Sequence, residues 1–134
     1  MITDPSTWNI VVTDDDPDSI RVVECILGFF GARVRAAECG VVCLDLIRQE
    51  RPTFLLLDIQ MPHMSGWEVI REIRQDVWLN DLPVFAMTAH AMIGDRERVL
   101  DAGFNAYFPK PISPLTFVDE VRYFLETSQV VRSP

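Results

Sequence analysis

An α/β domain built on a parallel sheet is the fold the sequence predicts, and three observations predict it. Strand-like and helix-like patterns alternate along all 134 residues, with no internal repeat, low-complexity tract or interior linker. The run Phe54-Leu55-Leu56-Leu57 is wholly apolar and flanked by breakers, as at the centre of a sheet covered on both faces. Prolines and glycines fall where one pattern gives way to the next.

Asn9-Ile10-Val11-Val12 reads as a first buried strand. Asp16-Pro17 then supplies an N-cap and a first-turn proline for a helix to about Phe30, where Gly31 stops it. Ala32 to Ala36 is a short, weaker strand, and a helix follows from about Gly40 to Glu50 before Pro52 breaks the chain. Phe54 to Leu57 is the next strand, and its first polar successor is Asp58. Met61-Pro62 to Ser65-Gly66 forms a loop, after which Val69, Ile70 and Ile73 mark the buried face of a helix ending near Asp76. Pro83 precedes an apolar strand from Val84 to Met87 that ends at Thr88. A helix from about Asp95 to Ala102 closes at Gly103, Ala106 to Phe108 makes a short last strand, and Ser113-Pro114 caps a final helix to about Thr127. The sum is five βα units, a doubly wound arrangement in which residues just past the strand carboxyl ends converge on one crevice.

Composition narrows the function. The length suits one domain, taken as 8–127 with short tails 1–7 and 128–134, and 49% hydrophobic content suffices for its core. Twenty acidic against twelve basic residues give a net charge of -8, which argues against direct nucleic-acid binding and for a hard-cation site or basic partners. Cys25, Cys39 and Cys43 lack the companion ligands of a zinc site and read as reduced thiols. With no basic leader and no apolar run of membrane-spanning length, the expected location is the cytoplasm, without membrane association.

Asp14, Asp15, Asp58, Thr88 and Lys110 all lie at or close to predicted strand ends. Gathered carboxylates are costly unless a cation neutralises them, and a lysine arriving from another segment suggests that an anion visits too. A carboxylate attacks phosphorus competently when Mg²⁺ and a lysine neutralise the incoming charge, which makes Asp58 the candidate nucleophile. Asp15, Asp58 and one backbone carbonyl would hold Mg²⁺, with Asp14 acting partly through a bound water. Thr88 offers a hydroxyl to a phosphoryl oxygen, and Lys110 a mobile charge that pairs with Asp58 before reaction and with phosphate after it. Taken singly these residues have plainer roles: an N-cap with first-turn charge for Asp14-Asp15-Asp16-Pro17, a turn residue for Asp58 and a solvated loop lysine for Lys110. Their joint order and spacing outweigh those roles, and a cis bond at Lys110-Pro111 would aim the lysine side chain.

Val12-Thr13-Asp14-Asp15-Asp16-Pro17, Asp58-Ile59-Gln60-Met61-Pro62 with Gly66, Thr88-Ala89 and Ala106-Tyr107-Phe108-Pro109-Lys110-Pro111 together resemble the receiver domain of bacterial two-component response regulators, from about Trp8 to Thr127. The resemblance implies a flavodoxin-like, five-stranded parallel sheet in the order 2-1-3-4-5 with five helices. It implies Asp58 as phosphoacceptor, Asp14 and Asp15 as the acidic pair, the Gln60 carbonyl as a further Mg²⁺ ligand, and Lys110 as the phosphate-binding lysine. Thr88 and Tyr107 match the switch hydroxyl and the switch aromatic. Gln60 and His90 fall where the family varies and where side chains tune hydrolysis of the acyl phosphate, although an exposed loop position is the plainer role for His90.

The implied partner is a histidine kinase or histidine phosphotransfer protein. The first helix has its main apolar face at Val23, Ile26, Leu27 and Phe30, and a second stripe at Val22, Cys25 and Phe29 that suits donor docking unless the helix is broadly buried. The last helix buries Phe117, Val118, Val121, Phe124 and Leu125 and leaves Tyr123 as an interface anchor, with homodimerisation on phosphorylation a further expectation. Trp78 is expected to pack the long connection before Pro83. The reading is a signalling switch rather than an enzyme, either free-standing or the receiver of a hybrid histidine kinase. An aspartyl-phosphate phosphatase would carry an acid where Gln60 stands, and a module that had lost phosphorylation would lack a site carboxylate or the lysine.

Overall fold

A computed structural model of the protein describes residues 4–89 and 94–132, the last five of these by backbone alone. Its strands are β1 (Asn9–Thr13), β2 (Arg33–Ala37), β3 (Phe54–Asp58), β4 (Val84–Thr88) and β5 (Ala106–Pro109). They alternate with α1 (Pro17–Phe29), α2 (Gly40–Gln49), α3 (Gly66–Gln75), α4 (Asp95–Ala102) and α5 (Phe117–Arg132). Every pairing is parallel, in the order β2-β1-β3-β4-β5, so the chain reverses direction across the sheet between β1 and β3.

Alternation of side chains along each strand divides the core into two layers. Ile10, Val12, Phe54, Leu56 and Phe85 face α1 and α5, where Val23, Leu27, Phe117 and Val121 cover them. Val11, Leu55, Leu57 and Ala86 face the other way onto Cys43, Ile47, Val69, Ile73 and Val99. A strand buried on both faces needs apolar residues at consecutive positions, which explains the unbroken Phe54–Leu57 run. Burial makes each such side chain worth about 1.5–3 kcal/mol.

Local signals act as the sequence suggests at most junctions. The Asp16 side chain accepts from Asp18 N at the head of α1, and Gly31 follows the helix at φ +88°. Ser65 caps α3, and Gly103 closes α4 in the left-handed region at φ +112°. Arg35 of β2 donates to the Leu46 and Glu50 carbonyls and so ties off the end of α2.

Four expectations need correction. Pro114 to Thr116 forms only a turn, with Phe117 N donating to Ser113 O, so α5 begins at Phe117 and runs to Arg132 instead of ending near Thr127. Phe30 leaves the α1 core face: it is 37% exposed as the C-cap, and Ile20 is buried instead. Phe124 is half-buried rather than enclosed. Trp78 is 83% exposed, because Leu79 and Leu82 take the inward positions of that connection and Arg51 fixes its backbone by donating to Trp78 O.

Candidate phosphoacceptor site

Three strands deliver the polar residues to one end of the sheet. Asp14 follows β1 directly, Asp58 is the last residue of β3 and Lys110 follows β5. Asp14 N donates to Ala37 O at 3.1 Å, and Lys110 N donates to Thr88 O at 2.8 Å, so neighbouring strand ends fix both backbones. The Lys110-Pro111 bond is cis. Behind Asp58 the loop folds back tightly: Gly66 N donates to Ile59 O at 2.8 Å, and a Cβ at Gly66 would lie 2.6 Å from Asp58 O.

Asp14 and Asp58 are buried, whereas Asp15 is exposed at the rim. One carboxylate oxygen from each lies within 4.8 Å of the others. The Lys110 ammonium sits 2.6 Å from Asp14 Oδ2 and 3.4 Å from Asp58 Oδ2. Lys110 thus pairs with Asp58 as expected and lies closer still to Asp14. Asp58 Oδ1 also accepts from Gln60 N, and Asp14 Oδ1 from Asp16 N.

Two buried carboxylates facing one ammonium leave the pocket short of positive charge. Burial, reinforced by the neighbouring Asp14 charge, pushes the Asp58 carboxyl up to about 7 against the opposing pull of Lys110 and the Gln60 N–H. Burial alone would lower the Lys110 ammonium, but contact with Asp14 and Asp58 outweighs it and raises the group. A cluster of hard oxygens lacking counter-charge is the chemistry that a divalent cation satisfies, so the residues present fit one.

Thr88 is buried at the end of β4, and Tyr107 is half-buried on the adjacent β5. The Tyr107 hydroxyl is buried with no hydrogen-bond partner among the described residues, and burial followed by the Asp95 charge raises its pKa. Thr88, Tyr107 and the exposed Gln60 line a cavity of about 150 Å³ together with Trp67, Asp95 and Arg98. A larger hollow of about 370 Å³ runs from Lys110 and Met87 past Ile112 to Asp16, Ser19 and Val22 on α1.

The structure thus gathers Asp14, Asp15, Asp58, Thr88 and Lys110, with Gln60 at the rim. Val22, Cys25 and Phe29 face outward on α1, Phe29 being 85% exposed, so α1 is not broadly buried. Tyr123 is likewise exposed on α5. His90 lies outside the described residues. All three cysteines are free thiols, and burial pushes Cys43 up to about 11. Sequence reasoning missed Trp67 and Arg98, whose meeting depends on how α3 and α4 are set beside each other. An aromatic directly after Gly66, at the head of an amphipathic helix, was the only available signal.

Among the described residues, no helix is long and apolar enough to cross a membrane. Residues 10–122 match the response regulator receiver domain. The polar-differentiation response regulator DivK of Brucella ovis is 34% identical over 119 residues, covering 89% of this chain and 97% of the relative. DivK of Brucella anthropi is 34% identical over 117 residues, covering 87% and 95%. The N-terminal domain of a response regulator receiver protein from Methanoculleus marisnigri JR1 superposes with a TM-score of 0.73 at 28% identity, over 87% of this chain and 95% of that one. A CheY-like response regulator receiver domain protein from Methanospirillum hungatei JF-1 gives 0.80 at 25% identity, over 92% and 97%. With the match running from β1 into α5, the chain belongs to the response regulator receiver domain family of two-component signalling.

Proposed function

We propose that Asp58 is the phosphoacceptor of this switch, and that residues 8–127 form the working unit with 1–7 and 128–134 as flanks. The placement of Lys110 between buried Asp14 and Asp58, with Asp15 at the rim, carries the reading. An Asp58 oxygen attacks the phosphorus of a phosphohistidine donor, the P–N bond breaks, and its electron pair stays on the imidazole nitrogen. Asp14, Asp15, Asp58 and the Gln60 carbonyl would hold Mg²⁺, which when bound supplies the positive charge that phosphoryl transfer needs. Lys110 then serves the phosphoryl oxygens, and the Thr88 hydroxyl donates to one of them. Tyr107, whose hydroxyl has no partner to lose among the described residues, follows Thr88 inward.

The donor is a histidine kinase or histidine phosphotransfer protein. It docks on the exposed stripe Val22, Cys25 and Phe29, of which Val22 lines the hollow leading to Lys110. Tyr123 serves the output side, where a protein target or a second phosphorylated copy binds, while Gln60 and His90 set the lifetime of the acyl phosphate. The switch acts in the cytoplasm, and its chemistry is confined to its own phosphorylation and dephosphorylation.

Intact-protein mass spectrometry after incubation with acetyl phosphate, with and without Mg²⁺, tests the reading beside Asp58→Asn. A Mg²⁺-dependent, hydroxylamine-labile adduct absent from the variant is expected. No adduct under conditions that label a control receiver would overturn it.

A further inference from the structure

Helix α4 is held unequally at its two ends. Val99 is its one buried side chain, so apolar packing fixes it weakly. At the C-terminal end, Arg74 of α3 donates from Nε and Nη2 to Gly103 O at 2.9 and 2.7 Å, and from Nη2 to Asn105 Oδ1 at 2.9 Å. The N-terminal end starts from Gly94 with no side-chain cap. There the Arg98 guanidinium lies 5.5 Å from the centroid of the Trp67 ring, with Asp95 Oδ1 at 3.4 Å from its Nη1. Phe104, just beyond the Gly103 end of α4, packs edge-on against the same ring at 6.0 Å, so the ring itself stays anchored whether or not Arg98 covers it.

The Trp67–Arg98 stack walls the same cavity that Thr88 and Tyr107 line. A tyrosine ring entering that space competes with the stack for it. We propose that Trp67 and Arg98 form a latch that holds the first turn of α4 against α3 in the unphosphorylated protein, and that phosphorylation releases it while Arg74 keeps the Gly103 end in place. The latch rests on Asp58 being the phosphoacceptor and adds the element whose two positions the phosphoryl group selects between. Arg98 and Trp67 are positioning residues, since neither touches the reacting atoms.

An exposed cation–π contact is weak enough to open reversibly, and its loss should enrich the released helix about two- to fivefold. Hydrogen exchange of the amides of Arg98, Val99 and Leu100, compared with those nearer Gly103, reads this directly. The samples are wild type, Arg98→Ala and Arg98→Lys, each with and without Mg²⁺ and beryllium fluoride as phosphoryl mimic. In wild type the mimic should speed exchange at the first turn and leave the Gly103 end unchanged. Arg98→Ala should exchange about two- to fivefold faster there before any addition and gain less from it, with Arg98→Lys intermediate because an ammonium stacks less well than a planar guanidinium. Acetyl phosphate labelling of the same proteins separates the two claims. Where Asp58 is labelled, an Arg98→Ala variant that exchanges like wild type, or a mimic that moves both ends alike or neither, overturns the latch. Absence of label overturns the phosphoacceptor assignment and the latch with it.

Discussion

The Lys110 ammonium is closer to Asp14 than to Asp58, at 2.6 against 3.4 Å. Both carboxylates are buried, and Asp58 holds the lysine at the longer distance through Oδ2 while its Oδ1 accepts from Gln60 N. The resting ion pair is therefore weighted towards Asp14.

Lys110→Ala removes the only cation that contacts both carboxylates among the described residues. Breaking a fully buried pair costs about 3–5 kcal/mol, and because Lys110 remains partly solvated the expected loss is about 1–3 kcal/mol in EDTA. Urea unfolding with and without Mg²⁺ checks this, and Mg²⁺ should restore more stability to the variant than it adds to wild type.

Asp58 makes stability depend on pH in a direction unusual for an aspartate. Its carboxyl titrates near 3.8 ordinarily and at about 7 in the folded protein, so between those values the folded state binds more protons than the unfolded chain. Without a divalent cation, this contribution is fully present below the lower value and is lost as pH rises through the upper one. Denaturation midpoints at roughly pH 5 and pH 8 in EDTA should fall with rising pH in wild type, and Asp58→Asn should flatten that slope.

Gly66→Ala places a methyl carbon 2.6 Å from Asp58 O and 2.7 Å from Ile59 Cα. Both obstacles are backbone, so relief requires moving the segment that carries Asp58. A loss of about 1–3 kcal/mol is expected, with slower labelling by acetyl phosphate in the fraction that remains folded.

Cys25→Glu alters an exposed α1 position without touching the carboxylate pocket. It should slow transfer from a cognate phosphohistidine protein and spare labelling by acetyl phosphate. Equal rates from both donors, unchanged from wild type, would remove α1 from the docking surface.

Much of this was legible in the chain because the signals were local. An apolar run ending in Asp58, a proline after Asp16 and a glycine after Ala102 each mark a junction within a few residues. Where contacts between distant segments decide, the sequence is silent. How Lys110 is shared between two carboxylates depends on the meeting of three strand ends, and Trp67 meets Arg98 only once α3 and α4 lie side by side. At Pro114 the local signal misled: its fixed φ suits a helix start, yet helix α5 begins three residues later at Phe117, after a turn. Leu79 and Leu82 outcompete Trp78 for the interior, a choice no pattern of hydrophobicity ranks in advance.

Because Asp14, Asp58 and Lys110 arrive from the first, third and fifth strands, no fragment or partly assembled sheet contains the pocket. Parallel pairing of distant segments is also the slow part of assembling such a domain. A phosphoryl group acquired through this pocket would consequently report completed folding, and the labelled fraction of a preparation would set a lower bound on its native molecules.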